Sequence, residues 1–382
     1  MSKTNVKESK KHSHRFLKIF GTLFIVIFVL FVALFIFLKA TILKSFPELK
    51  EDPEIGKWYR ITPENTLSSD GSEWHGIFRK GSENKVVVYF FGGGVSINGE
   101  TSEGGTKFFA TNMLAQDFVA QGGIGSNVTE NPFKDWTFIV IPYASGDFHS
   151  GTGEYHYSKN NEDVTVYHNG YNNYSAFLAI AKKYISEPDT LLITGFSAGG
   201  FATSLLSDDV IDHFPKANNI TICVDSSLLL YDGWHDTSVN LWKSPHEISD
   251  RLTTNNIVLD SLTALYKKRG PSVKILFDCS YRDDTLQQYQ SYINYGKMDK
   301  SKELGDQFQT DLTNMVYSLQ ENIPSIGIYI WSYNEDAKTK NTPHTIISSN
   351  FFDKLGNSKS ICEWIYDAVN GNVRIFGIDL LD

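Results

Sequence analysis

Residues that could carry out a reaction stand at three separate places in this chain: a serine at Ser197, adjacent aspartates at Asp283 and Asp284, and a histidine at His344. Ser197 is the centre of Gly195-Phe196-Ser197-Ala198-Gly199, between an apolar run at 190–194 and small and apolar residues at helical spacing to 206. Strand, tight turn and helix is the setting in which a G-x-S-x-G serine stands clear of a sheet as a nucleophile. The glycines let two backbones pass closely, and the Ala198 amide points into the same space, where it can hold an oxyanion. The plainer alternative is a strand-helix turn with a bystander serine, and the flanking strand and helix weigh against it.

A nucleophilic serine needs a base, and the base needs an acid to orient it; after such an elbow they follow in the order acid, then histidine. The strand VKILFDCS runs into Tyr281-Arg282-Asp283-Asp284, and the strand SIGIYIW leads to a loop with Pro343-His344. His344 is therefore the base, with a surface loop histidine as the alternative. His213, His235 and His246 also follow the serine, but the first lies where the elbow helix ends and the others precede the acid. Only one of Asp283 and Asp284 can face the histidine. Asp225, after the preceding strand, is a third candidate acid or a turn residue. A second oxyanion donor is expected from Phe91-Gly92-Gly93-Gly94 at the end of the strand 85–91, where three glycines free the backbone to turn its amides inward. A phosphate loop would continue Gly-Lys-Ser/Thr, which this one does not.

The elements needed to position these groups are legible. Strands are predicted at 57–61, 73–79, 85–91, 137–142, 190–194, 220–224, 273–277 and 326–331, and helices at 171–185, after the elbow to 206, and at 245–268, 304–320 and 351–368. The first two strands are close enough for an antiparallel start, while later ones are separated by helical stretches, as a parallel sheet requires. The predicted fold class is α/β: an α/β-hydrolase-like, mainly parallel sheet flanked by helices, preceded by a single N-terminal transmembrane helix.

That transmembrane helix is expected at 19–38, twenty residues without a charge, enough to span a bilayer. Residues 1–18 carry Lys3, Lys7, Lys10, Lys11, Arg15 and Lys18 against Glu8, which places this tail in the cytoplasm and the remainder outside. A signal peptide would have a shorter apolar region and an A-x-A-like cleavage site. Residues 39–53 then read as a linker and 54–382 as one esterase-sized α/β domain. Residues 1–39 hold seven of the 35 basic and one of the 44 acidic residues, leaving a net charge of about −15 beyond them. So acidic a surface argues against nucleic acid as a partner. Cys223, Cys279 and Cys362 have neither C-x-x-C nor dense spacing and read as small core residues.

Several stretches together resemble the pectin acetylesterase and Notum family of extracellular carboxylesterases: DGSEWHGIFRKGSENKVVVYFFGGG, IPYASGDFHSGTGEY, GFSAGG, VDSS, Asp284-Thr285-Leu286-Gln287 and His344. The resemblance covers most of 70–345, and the DGS-to-GGG block and PY-x-x-GD segment are its most specific parts. It implies Ser197 as nucleophile, His344 as base, Asp284 as acid through its D-x-x-Q stretch, and Gly94, Val95 and Ala198 as oxyanion donors. Gly93, Asp147 and His149 are tentative substrate-binding positions, Asp147 and His149 more plainly part of a structural loop. Tyr143, Tyr155, Tyr157 and Tyr167 offer stacking surfaces for sugar rings or ordinary packing. The chain departs from the family where Val95-Ser96 replace a Trp-Cys pair after the glycines, an exchange expected to remove an aromatic wall from the acyl pocket. The insertion between Val224 and Pro271, with Leu228, Leu229, Leu230, Trp234 and Trp242, is expected to lid that pocket.

The expected activity is that of a membrane-anchored extracellular serine carboxylesterase removing acetyl groups from a polysaccharide, with no metal or organic cofactor. A deacylase of longer acyl esters on lipid or lipoprotein, and a non-catalytic glycan-binding protein of the same fold, are the alternatives.

Overall fold

The computed structural model describes residues 44–355 and 359–382, together with Leu30. The stretch 19–38 expected to cross a membrane otherwise lies outside the described residues, as does the basic tail. Among the described residues no helix is long and apolar enough to cross a membrane. Residues from Phe46 to Asp382 form one compact unit.

Nine strands make one sheet in the order β1-β2-β4-β3-β7-β8-β9-β10-β11. They are β1 Trp58–Ile61, β2 Gly76–Arg79, β3 Lys85–Phe90, β4 Thr137–Ile141, β7 Thr190–Phe196, β8 Asn219–Asp225, β9 Val273–Ser280, β10 Gly327–Trp331 and β11 Ile375–Phe376. β2 is antiparallel to both β1 and β4, and all other neighbours are parallel. The parallel strands are buried on both faces, which is why VVVYF, TFIVI and TLLIT read as unbroken apolar runs rather than alternating ones. β5 (Gly153–Lys159) and β6 (Glu162–His168) form a separate hairpin that the sequence pattern did not announce.

The helices of nine residues or more are α1 Gly170–Ala181, α2 Ala198–His213, α3 Ile257–Arg269, α4 Asp284–Tyr295, α5 Lys302–Asn322 and α6 Ile361–Val369. The helix expected at 245–268 is broken, because Asn256 caps α3 by accepting from the Leu259 amide. The one expected at 351–368 begins only at Ile361, where Ser360 and Glu363 form a capping box. α4 was not anticipated, and its start decides the site described below. Cys223, Cys279 and Cys362 are free and buried, as their spacing suggested.

α2 lies across β7, β8 and β3. It comes so close that a methyl group on Gly199 would collide with the Phe90 carbonyl, and one on Gly195 with the Gly199 carbonyl. The obstacles are main chain at the sheet centre and cannot rotate away. Gly199→Ala should therefore cost about 3 kcal/mol of stability through overpacking, measured as a fall in the urea midpoint with unchanged slope.

Candidate active site

Ser197 sits between β7 and α2 at φ 55° and ψ −125°, a conformation that a non-glycine residue holds only when its surroundings enforce it. Its N–H donates to the Asp225 carbonyl at 2.9 Å, and its own carbonyl accepts from Gly200 N, Phe201 N and Ser227 Oγ. Ala198 is the first residue of α2, so its amide belongs to a helix N-terminus, the end that favours negative charge. It makes no hydrogen bond among the described residues.

His344 follows β10, and its Nδ1 lies 2.6 Å from Asp283 Oδ2, with the Asp283 carboxylate fully buried. Burial pulls the imidazole pKa down, but the Asp283 carboxylate, with Asp225 and Asp284 farther off, outweighs it and the net direction is up from 6.5. With Nδ1 committed to the carboxylate, Nε2 is buried and has no hydrogen-bond partner among the described residues. That leaves it open to accept a proton from a nucleophile or return one to a leaving group.

The carboxylate that meets His344 is that of Asp283, where the family stretch had pointed to Asp284. Asp283 is the N-cap of α4: Oδ1 accepts from the amides of Thr285 at 3.0 Å and Leu286 at 2.9 Å while Oδ2 takes His344. One carboxylate thus starts a helix and orients a base. Asp284, one residue on, belongs to the helix and points to Lys300 at 2.5 Å on the surface. The loops carrying Asp283 and His344 are joined by Thr342 N to Arg282 O and Asp284 N to Thr342 O. Gln287 of the D-x-x-Q stretch binds Arg282 O and Asn341, so it braces this junction. Arg282 is buried against Asp306 and the carbonyls of Lys302 and Thr339.

The glycine loop also departs from expectation at one residue. The Val95 amide donates to the Phe108 carbonyl at 3.0 Å and its side chain is buried in the core, so neither can face an ester. The amides of Gly93 and Gly94 have no acceptor among the described residues, and these two remain as donors beside Ala198. Gly94 has φ +81°, and a side chain there would strike the Phe108 carbonyl and the Tyr289 hydroxyl. Tyr289, on α4, donates to that same carbonyl at 2.6 Å and was not singled out by the sequence.

Asp147 and His149 are structural. Asp147 is fully buried and accepts from Ser145 Oγ and the amides of His149, Gly151 and Gly170. His149 is buried, which lowers its pKa to about 4, and the neutral ring donates from Nε2 to the Phe91 carbonyl just before the glycines. Both support the loop from below and are closed to substrate. Tyr143 is buried against His149, its hydroxyl accepting from Phe148 N, while Tyr155 and Tyr157 stack on the hairpin. The insertion is no open lid either. Trp234 and Trp242 are fully buried around Phe148, which stacks on Phe201 of α2, and Trp242 Nε1 donates to the Ser96 carbonyl. The insertion therefore buttresses the oxyanion loop. A cavity of about 390 Å³ beside Gly93 is lined by Phe108, Phe109, Ala110, Leu114 and Tyr289 among others. A larger one, about 890 Å³, lies at the opposite ends of β9 and β10, remote from Ser197.

Residues 61–237 match the family model for pectinacetylesterase. Pectin acetylesterase 4 of Arabidopsis thaliana is 27% identical over 168 residues, 42% of this chain and 40% of that protein. Pectin acetylesterase 5 of the same plant is 27% identical over 127 residues, 33% of this chain and 29% of that protein. The family-model match spans a little under half of the chain. These alignments span less than half the length of either relative. The solved structure of the Wnt deacylase Notum from Drosophila superposes with a TM-score of 0.58 at 17% identity, covering 83% of this chain and 95% of that one. It shares the fold. Within the family match lie the glycine loop and Ser197, while Asp283 and His344 fall beyond it.

Asp283→Asn should lower kcat by about 10⁴, the scale of losing the acid behind a catalytic histidine, and Asp284→Asn by less than about threefold, since an exposed ion pair matters little. In the unaltered protein kcat/KM should rise with pH through a pKa above 6.5, because His344 acts as a base only when neutral. Steady-state ester hydrolysis across pH checks all three, and equal losses in the two variants would contradict the assignment.

Proposed function

We propose that this protein is a serine carboxylesterase that removes acetyl groups from an extracellular polysaccharide, anchored to the membrane by residues 19–38. The observation that carries the reading is the buried 2.6 Å contact of His344 Nδ1 with Asp283, with Nε2 unpartnered among the described residues. Ser197 Oγ attacks the ester carbonyl carbon while His344 Nε2 takes its proton. Asp283 holds the imidazole in the tautomer that can do so and stabilises the imidazolium that forms. The carbonyl oxygen, now an anion, lies at the amides of Ala198, Gly93 and Gly94. As the intermediate collapses, the leaving hydroxyl group takes the proton back from His344, and water then repeats the sequence on the acyl-enzyme. The match of residues 61–237 to the pectinacetylesterase model supports acetyl as the group removed.

The cavity beside Gly93 favours a second reading. About 390 Å³ with Phe108, Phe109 and Leu114 in its wall has room for an acyl chain well beyond acetyl, and the structural neighbour Notum is named a deacylase. The cavity also has polar lining at Lys107, Asn112 and Gln116, which suits a sugar better than a long alkyl chain. Each added methylene in an apolar pocket discriminates by only about 1 kcal/mol, so chain-length preference must be measured.

With p-nitrophenyl esters of increasing chain length, the full-length protein should prefer acetyl to butyryl, and Ser197→Ala should lose at least about three orders of magnitude in kcat. Preference for octanoyl or longer esters would replace the first reading with the second, and activity surviving in Ser197→Ala would remove both. For the anchoring, protease added to intact cells should digest the catalytic domain. Complete protection would reverse the orientation.

A further inference from the structure

The proposed triad comes from three separate loops, and one residue that takes no part in the chemistry touches two of them. Asp225 ends β8 and is fully buried. Its main-chain carbonyl accepts the Ser197 N–H at 2.9 Å. Its Oδ2 accepts the N–H groups of Ile346 and Ile347, both at 3.0 Å, two and three residues past His344. Between His344 and Ile346, Thr345 has φ 62°, a left-handed conformation that a β-branched residue keeps only if the chain on either side is fastened. Ser226, next to Asp225, is also left-handed at φ 53°, and its Oγ donates to Asp225 Oδ1 at 2.6 Å. We infer that Asp225 is the positioning residue that sets the His344 loop against the Ser197 turn, with its carbonyl on one and its carboxylate on the other; this rests on the triad reading above.

The residue beside it shows why a charge can be kept there. Asp278, in register with Asp225 on β9, is equally buried, and its carboxyl accepts only from Trp331 Nε1 at 3.4 Å and Cys223 Sγ at 3.6 Å among the described residues. Burial first, then the neighbouring Asp225, pushes the Asp278 pKa well up. Burial raises the Asp225 pKa as well, but three good hydrogen bonds oppose it, so of the two acids Asp278 is the better holder of the proton and Asp225 of the charge. A carboxylate can then receive two amides on one oxygen, a stronger arrangement than a neutral acceptor provides.

The test compares Asp225→Ala, Asp225→Asn and Asp278→Asn in the full-length protein. Asp225→Ala leaves the carbonyl on Ser197 in place and removes only the hold on the histidine loop. It should lower kcat on the order of 10², the cost of misplacing a catalytic group by about 1 Å, with KM within about twofold. The Ile346 and Ile347 amides should lose hydrogen-exchange protection in the same variant. Asp225→Asn keeps an oxygen for those amides and should restore protection and most of kcat. Asp278→Asn mimics a neutral acid and should resemble the unaltered protein. Unchanged kcat in Asp225→Ala, a fall in kcat matched by a rise in KM, or unchanged protection of the two amides would overturn the inference. If Asp225→Ala does not fold, exchange in the unaltered protein decides, with protection near that of the core strands expected and fast exchange refuting. If no ester is hydrolysed, the triad reading fails while the exchange measurements still judge the hold on the loop.

Discussion

The hydrogen bond from His344 to Asp283 sits where a carboxylate is expensive to keep, and much of the surrounding structure can be understood as what makes it affordable. Asp283 is fully buried, yet each of its oxygens is satisfied: one by two amides at the start of α4, the other by the imidazole. A buried acid without those partners would be destabilising by several kcal/mol. Arg282 beside it is fastened by one carboxylate and two carbonyls, and Gln287 and Asn341 close the gap between the acid and histidine loops. The helix cap and the orientation of the base are the same interaction. A change that frays the first turn of α4 would therefore also loosen the histidine.

The nucleophile is held by a different kind of constraint. At Ser197 the backbone is forced into a strained turn by close passage of α2 over the sheet, which Gly195 and Gly199 permit. The glycine loop opposite is held from behind. His149 donates to the Phe91 carbonyl, Phe108 takes the Val95 amide, and Trp242 takes the Ser96 carbonyl. These bonds use up main-chain groups that flank Gly93 and Gly94 and leave those two amides without an acceptor among the described residues. Here the buried polar groups of the GD-F-H segment work as scaffold, in line with the structural-loop reading of Asp147 and His149.

The sheet and the elbow were legible because their signals are local: apolar runs of strand length, and a glycine pattern whose only sterically reasonable reading is a tight crossing. His344 was legible because the strand order constrains it. The choice between Asp283 and Asp284 was not, because it depends on where α4 begins. Read as a cap, Asp283 followed by Thr285 and Leu286 would have pointed the right way, since an aspartate whose side chain takes the amides two and three residues ahead must turn back toward the loop. Val95 failed for a different reason. Whether an amide is free depends on the segment at Phe108, thirteen residues away, and no pattern within the glycine loop encodes that pairing. The same holds for Asp225, whose partners lie 121 and 122 residues downstream, and for Tyr289.

The account stands on Ser197 being a nucleophile activated by His344. A fluorophosphonate phosphonylates only an activated serine, and peptide mass spectrometry can place the adduct. The structure predicts a single adduct on the peptide containing Ser197, abolished in His344→Ala although the serine itself remains. An adduct on another serine, or undiminished labelling of Ser197 in His344→Ala, would contradict it.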